Sequence, residues 1–189
     1  MGKNLEASDF IPAGGTWSGL LFSNRAFGVE TQLTLSFDFD FEEVEVDGDR
    51  AALGLTVEWA PWPAGLTWQH LAGAEVRCST FGEPVQASVY YYEHHCFDEV
   101  YLKVLEQTED KIRVRVAVFG DIDQLGIPTL TAETWLSFSG IFVQNEPRPR
   151  SLPEAAAALN AWTSIEGLTG ADRGFNYLFT PATPEATGF

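Results

Sequence analysis

The sequence is short of sulfur, of histidine and of positive charge, and each shortage excludes something. Two cysteines among 189 residues, Cys78 and Cys96, cannot make a disulfide scaffold of a chain this long. Only 11 Lys and Arg stand against 27 Asp and Glu, for a formal charge of -16. Such a field repels phosphates, so DNA, RNA and anionic membranes are poor partners, while a cationic protein, a cationic ligand or a metal ion is attracted. The same charge also serves solubility. There is no run of 18 or more apolar residues to span a membrane as a helix. The N-terminus, Met-Gly-Lys-Asn-Leu-Glu-Ala-Ser-Asp, has no apolar h-region, and a cytoplasmic location is expected. The sequence contains no G-x-S-x-G elbow, P-loop, G-x-G-x-x-G or H-E-x-x-H. With three histidines, catalysis would have to lean on carboxylates.

What is present is β periodicity. Val29, Thr31, Leu33, Leu35, Phe37, Phe39 and Phe41 alternate with polar residues, the mark of a half-buried strand. Val44 and Val46 fall out of that phase, which predicts a bulge at Glu42-Glu43. Asp47-Gly48 gives a hairpin turn, and Ala51, Leu53, Leu55, Val57 and Trp59 return on one face. A loop at Gly48-Asp49 sets Phe37 opposite Trp59 and Asp38 opposite Glu58. A loop at Asp47-Gly48 shifts the register by two, and both satisfy the apolar pairing.

Thr16 to Ser23 reads as a first strand. Val76 to Thr80 and Val85 to Tyr92 flank Gly82-Glu83 and read as a second hairpin. Strands around Val100–Val104 and Ile112–Val118 flank a Glu109-Asp110 turn, and Thr134 to Phe142 marks a last long strand. Short turns between successive strands predict a mainly β domain, an antiparallel meander closed as a barrel or a sandwich. One C-terminal helix packs on it, capped by Ser151 with Glu154 three residues on, its stripe Ala155, Ala156, Leu159, Trp162 and Ile165. The domain spans 1–180, with a flexible tail over 181–189.

Candidate chemistry is sparse. On a strand, His94, Cys96 and Asp98 share one face, and His95 and Glu99 the other. With Cys78 and His70 as distant partners, no ligand spacing for zinc emerges, so neither metal nor cofactor is expected. Asp121 and Asp123 follow a strand, where loops carry function, but they read first as solvated turn residues. The acidic ribbon says more. Asp38, Asp40, Glu42, Glu43 and Glu45 line one side of the hairpin, with Glu58 on the return strand. Either a strand bearing Lys111, Arg113 and Arg115 neutralises them internally, or a basic partner or cation does so externally.

Gly15-Thr16-Trp17-Ser18-Gly19 resembles the G-T-W-x-G start of lipocalin-related and nitrobindin-like barrels. In such barrels the Trp closes one end and the interior holds a small apolar ligand or haem, so the resemblance implies a role for Trp17 beside a ligand. Two functional expectations follow. One is a non-enzymatic intracellular protein that engages a basic partner through the acidic face, as inhibitor and immunity proteins do. The other is a lipocalin-like barrel that binds a small apolar ligand, with room for an enzymatic activity in the cavity. A filled interior would favour the first, a hollow one the second.

Overall fold

The computed structural model describes residues 5–46, 48–80 and 84–182. The alternating segments form strands β1 (Pro12–Asn24), β2 (Val29–Phe41), β3 (Val44–Val46), β4 (Asp49–Ala51), β5 (Gly54–Pro61), β6 (Glu75–Ser79), β7 (Gln86–Tyr91), β8 (Glu93–Thr108), β9 (Lys111–Asp121) and β10 (Thr129–Glu146). Helix α1 (Leu152–Asn160) and strands β11 (Leu168–Asp172) and β12 (Tyr177–Pro181) complete the chain. The pairing order β1-β2-β5-β7-β8-β9-β10 is antiparallel throughout and closes on itself through a parallel β1–β10 ladder. The fold is therefore a mainly β barrel with one helix near its C-terminal end.

The interior is filled. Trp17, Leu21, Phe37, Leu55, Val89, Val100, Val114, Val116, Leu136 and Ile141, drawn from all round the ring, have no solvent-accessible surface. A void wide enough for water would leave accessible surface on the side chains around it, and these have none. Towards one end the Trp17 ring stacks on Phe138 at 4.2 Å, and Phe138 stacks on Trp68 at 5.1 Å. Trp68 comes from the loop after β5 and is pinned by its indole N–H, which donates to the Glu166 carbonyl at 3.2 Å. Gln107 clamps the same loop, accepting from the Leu71 N–H and donating to the Trp68 carbonyl.

The first hairpin takes the second of its two registers. Val44 pairs with Ala51 and Val46 with Asp49, the register of the Asp47-Gly48 loop, of which residue 47 lies outside the described residues. Phe37 then faces Val57, Phe39 faces Leu55 and Asp38 faces Thr56. β2 stops at Phe41 and β3 starts at Val44, so alternation breaks at Glu42-Glu43. Three expectations are corrected. β6 and β7 do not pair as a hairpin but lie one after the other along the same edge of β8, so Cys78 faces Val100 and Ser88 faces Cys96. Thr134 to Phe142 lies within a longer strand that is not the last, because the Tyr177-Leu178-Phe179 run adds β12 to β10. The helix stops at Asn160: Trp162 and Thr163 both donate to the Leu159 carbonyl in a closing turn, and Trp162 is left exposed. At its start, Ser151 accepts from the Glu154 N–H, while the Glu154 carboxylate accepts from Arg150.

A candidate interaction face on the outer wall

Antiparallel registers put outward side chains of neighbouring strands into rows. One row runs Asp38, Thr56, Ser88, Cys96 across β2, β5, β7 and β8, and the next runs Asp40, Gly54, Tyr90, His94. Glu58 stands opposite Gln86 in a third. The acidic ribbon and the His94–Cys96 segment, which sequence spacing treats as unrelated, thus share one outer wall. Between them lies an open groove of about 690 Å³ whose sides include Asp38, Glu58, Gln86, His94 and Cys96, with an apolar contribution from the exposed Ile122. Gly54 has no side chain, which leaves a gap in the second row between Asp40 and Tyr90.

The polar contacts on this wall are modest. The Thr56 hydroxyl donates to Asp38 at 3.2 Å, so the like-charge pair of Asp38 with Glu58 does not form. His94 Nδ1 and the Ser88 hydroxyl lie 3.2 Å apart, and the His94 ring meets Tyr90 edge-on at 5.4 Å. The Cys96 N–H donates to Asp123 at 2.7 Å. Burial, and then the thiol's own hydrogen bond to Asp123, push the Cys96 thiol above its ordinary range. That is the opposite of an activated nucleophile. The Cys96 N–H in turn holds the Asp123 carboxyl below its ordinary range. Asp121 accepts from the N–H groups of Leu125, Gly126 and Ile127. Asp121, half-buried, clamps its loop, whereas Asp123 is exposed to solvent and accepts from the single Cys96 N–H.

His95 points inward and is buried, its Nε2 3.3 Å from the Tyr91 carbonyl. Glu99 is exposed beside Arg77, so the two do not share a face. The burial phase shifts by one between Phe97 and Val100, next to Gly120, where φ is +71° and the backbone passes close against Asp98. Among the described residues no group of three or more His, Cys, Asp or Glu side chains is placed to hold a metal ion. Nor is any helix of the described residues long and apolar enough to cross a membrane.

Charge is distributed unevenly. Lys111, Arg113 and Arg115 lie on β9, separated from β2 by β10 and β1 one way round the ring and by β8, β7 and β5 the other. Arg113 grips Glu106 and Glu133, and Arg115 grips Glu133. Lys103 holds Glu75 and Arg77 approaches Glu99. On the ribbon, among the described residues, Glu43 is in an ion pair with Arg50 at 3.4 Å, and Glu45 stands opposite the same arginine across β3 and β4. Asp38, Asp40, Glu42, Glu45 and Glu58 are exposed and in no ion pair among the described residues. Comparison with protein-family models, curated proteins and solved structures returns no match to this chain. The face therefore rests on its own geometry. Thr56, Gln86, Ser88 and Ile122 were not among the sequence candidates. Each is an ordinary strand or loop residue, and only the register across four strands brings them to one place.

Proposed function

We propose that this chain is a binding protein that engages a basic protein partner through the outer wall of β2, β5 and β7. The observation that carries this reading is a set of exposed carboxylates, Asp38, Asp40 and Glu58 on β2 and β5 with Glu42 just past β2, which are in no ion pair among the described residues. Like charges held on one wall repel at a cost in stability, and an opposing surface relieves that cost. The groove adds shape, and Tyr90, 49% exposed in the row of Asp40 and His94, adds the aromatic area that interfaces favour. Complementary potential of this kind acts mainly on the rate of encounter. The alternative, an apolar ligand inside the barrel, needs space that Trp17, Phe37 and their neighbours occupy.

The test replaces Asp38, Asp40 and Glu42 by Asn, Asn and Gln. Association with a basic partner recovered from native lysate is expected to slow about tenfold at low salt, with the difference fading as salt is added. The fold should be unchanged, because among the described residues only Asp38 of the three has a side-chain hydrogen bond, from the Thr56 hydroxyl. Unaltered binding together with a loss of several kcal/mol in urea denaturation would place these carboxylates in the architecture instead.

A further inference from the structure

At the end of β7 the chain doubles back into β8 through one residue, Tyr92, with Tyr91 paired to Glu93. Tyr92 takes φ at +58°, a conformation that a bulky side chain rarely adopts. In the loop after β9, Gln124 takes φ at +60°. Three non-glycine residues have positive φ among the described residues, and these two border one pocket, an open hollow of about 270 Å³. Strained backbone persists only where its surroundings over-determine it, and it gathers at binding sites.

The pocket is aromatic and acidic. The Tyr91 and Tyr92 ring centroids lie 4.7 Å apart with their planes at 59°, so two ring faces meet as a corner. Tyr92 is 65% exposed. Glu93 is exposed and in no ion pair among the described residues. Gln124 and the half-buried Leu125 line the hollow from the loop, and no lysine or arginine of the described residues lines it. Its walls are held in place. The Ile122 N–H donates to the Cys96 carbonyl at 3.0 Å, the Leu125 N–H donates to Asp121 at 2.8 Å, and His95 Nε2 lies 3.3 Å from the Tyr91 carbonyl. A site already shaped before its ligand arrives loses less on binding.

Ring faces attract cations, a carboxylate adds to that attraction, and a net charge of -16 raises the local concentration of cations. The kind of cation follows from hydrogen bonding. A primary ammonium carries three N–H donors, each of which must find a new acceptor when it leaves water. A fully alkylated ammonium has none to leave unpaired, and its methyl groups pack on ring faces and on leucine. The hollow is smaller than the roughly 300–1,000 Å³ of drug-sized sites, so it suits a ligand's head group.

We propose that this pocket binds a quaternary ammonium group on the faces of Tyr91 and Tyr92, with Glu93 as counter-charge. The site is separate from the ribbon and does not depend on the ribbon's being a docking face.

The test follows backbone amides by NMR as four probes are added singly. These are choline, its neutral carbon isostere 3,3-dimethylbutanol, and a short peptide bearing either trimethyllysine or unmodified lysine. Choline is expected to shift the Tyr92 and Gln124 amides and to saturate in the millimolar range, with the isostere about tenfold weaker. Trimethyllysine should likewise exceed lysine about tenfold. If the trimethyllysine peptide binds more tightly than choline, the ligand is a protein side chain; the reverse order makes it a free small molecule, and either upholds the site. Tyr92→Leu should weaken choline about tenfold, whereas Tyr92→Phe, which keeps the ring face, should stay within about twofold. Glu93→Gln should weaken it severalfold. Unchanged melting temperatures show that the variants fold. Equal affinity for the neutral isostere would overturn the proposal, because the pocket would then be merely apolar. So would equal affinity for the two peptides, or an absence of shifts at about 50 mM choline.

Discussion

Replacing Gly15 by alanine is the sharpest test of how the barrel is put together. Gly15 opens the Gly-Thr-Trp segment with φ at +144°, a backbone conformation that alanine rarely adopts, and it lies where β1 passes over Asp38 on β2. A Cβ added there would sit 1.9 Å from the Asp38 carbonyl oxygen and 2.8 Å from a Leu136 methyl. The first neighbour is backbone in a paired strand, so relief requires the two strands to part. The conformational term alone is of order 1–3 kcal/mol. Overpacking against fixed neighbours adds about 1–3 kcal/mol more. The expected loss is about 3–5 kcal/mol, a large part of the stability of an ordinary domain. Gly28→Ala is the control. Its φ is +71°, but nothing lies within 4 Å of the added Cβ, so only the left-handed backbone term of about 1 kcal/mol applies. Urea denaturation of both variants gives the comparison. If Gly15→Ala lost no more than Gly28→Ala, the close approach of β1 to β2 would be refuted.

The remaining predictions concern charges that the fold uses internally. Arg115 and then Arg113 hold the Glu133 carboxyl below its usual range by hydrogen bonding, so its contribution is present above about pH 4.3 and is lost as pH falls through the lower folded value. Glu133→Gln should have a lower urea midpoint than wild type at neutral pH, and the two midpoints should converge as pH falls below about 4.3; parallel midpoints would count against the pairing. Asp121→Ala leaves three backbone N–H groups of the 125–127 loop without their acceptor. It should cost about 2 kcal/mol and speed hydrogen exchange at those amides; unchanged exchange would show that the carboxylate is not the clamp.

Much of the fold was legible because strand alternation is a local signal. The β2 pattern from Val29 to Phe41, the break at Glu42-Glu43 and the Ser151 cap can all be read within a few residues. What escaped reading depends on distant partners. Two successive alternating segments on either side of Gly82-Glu83 look like a hairpin in sequence; residues 82 and 83 themselves lie outside the described residues. Nothing local reveals that β8 is long enough to take β6 and β7 end to end. The His94–Cys96 segment was visible as unusual, but its neighbours Thr56 and Ser88 are chosen by register across four strands. For Asp121 and Asp123, position after a strand was right. Their work, however, is to bind backbone amides, and only the folded loop shows where those amides point.

The parallel ladder that seals the barrel has a consequence for how the protein is made. Thr16 meets Ser137 only after roughly 120 further residues have been synthesised. Until then β1 is held only along its β2 edge, and its other edge presents a row of unpaired amides and carbonyls beside the still uncovered Trp17 and Leu21. A ribosome stalled anywhere before β10 would therefore expose a sticky half-barrel, and the nascent chain is most in need of a chaperone during that interval.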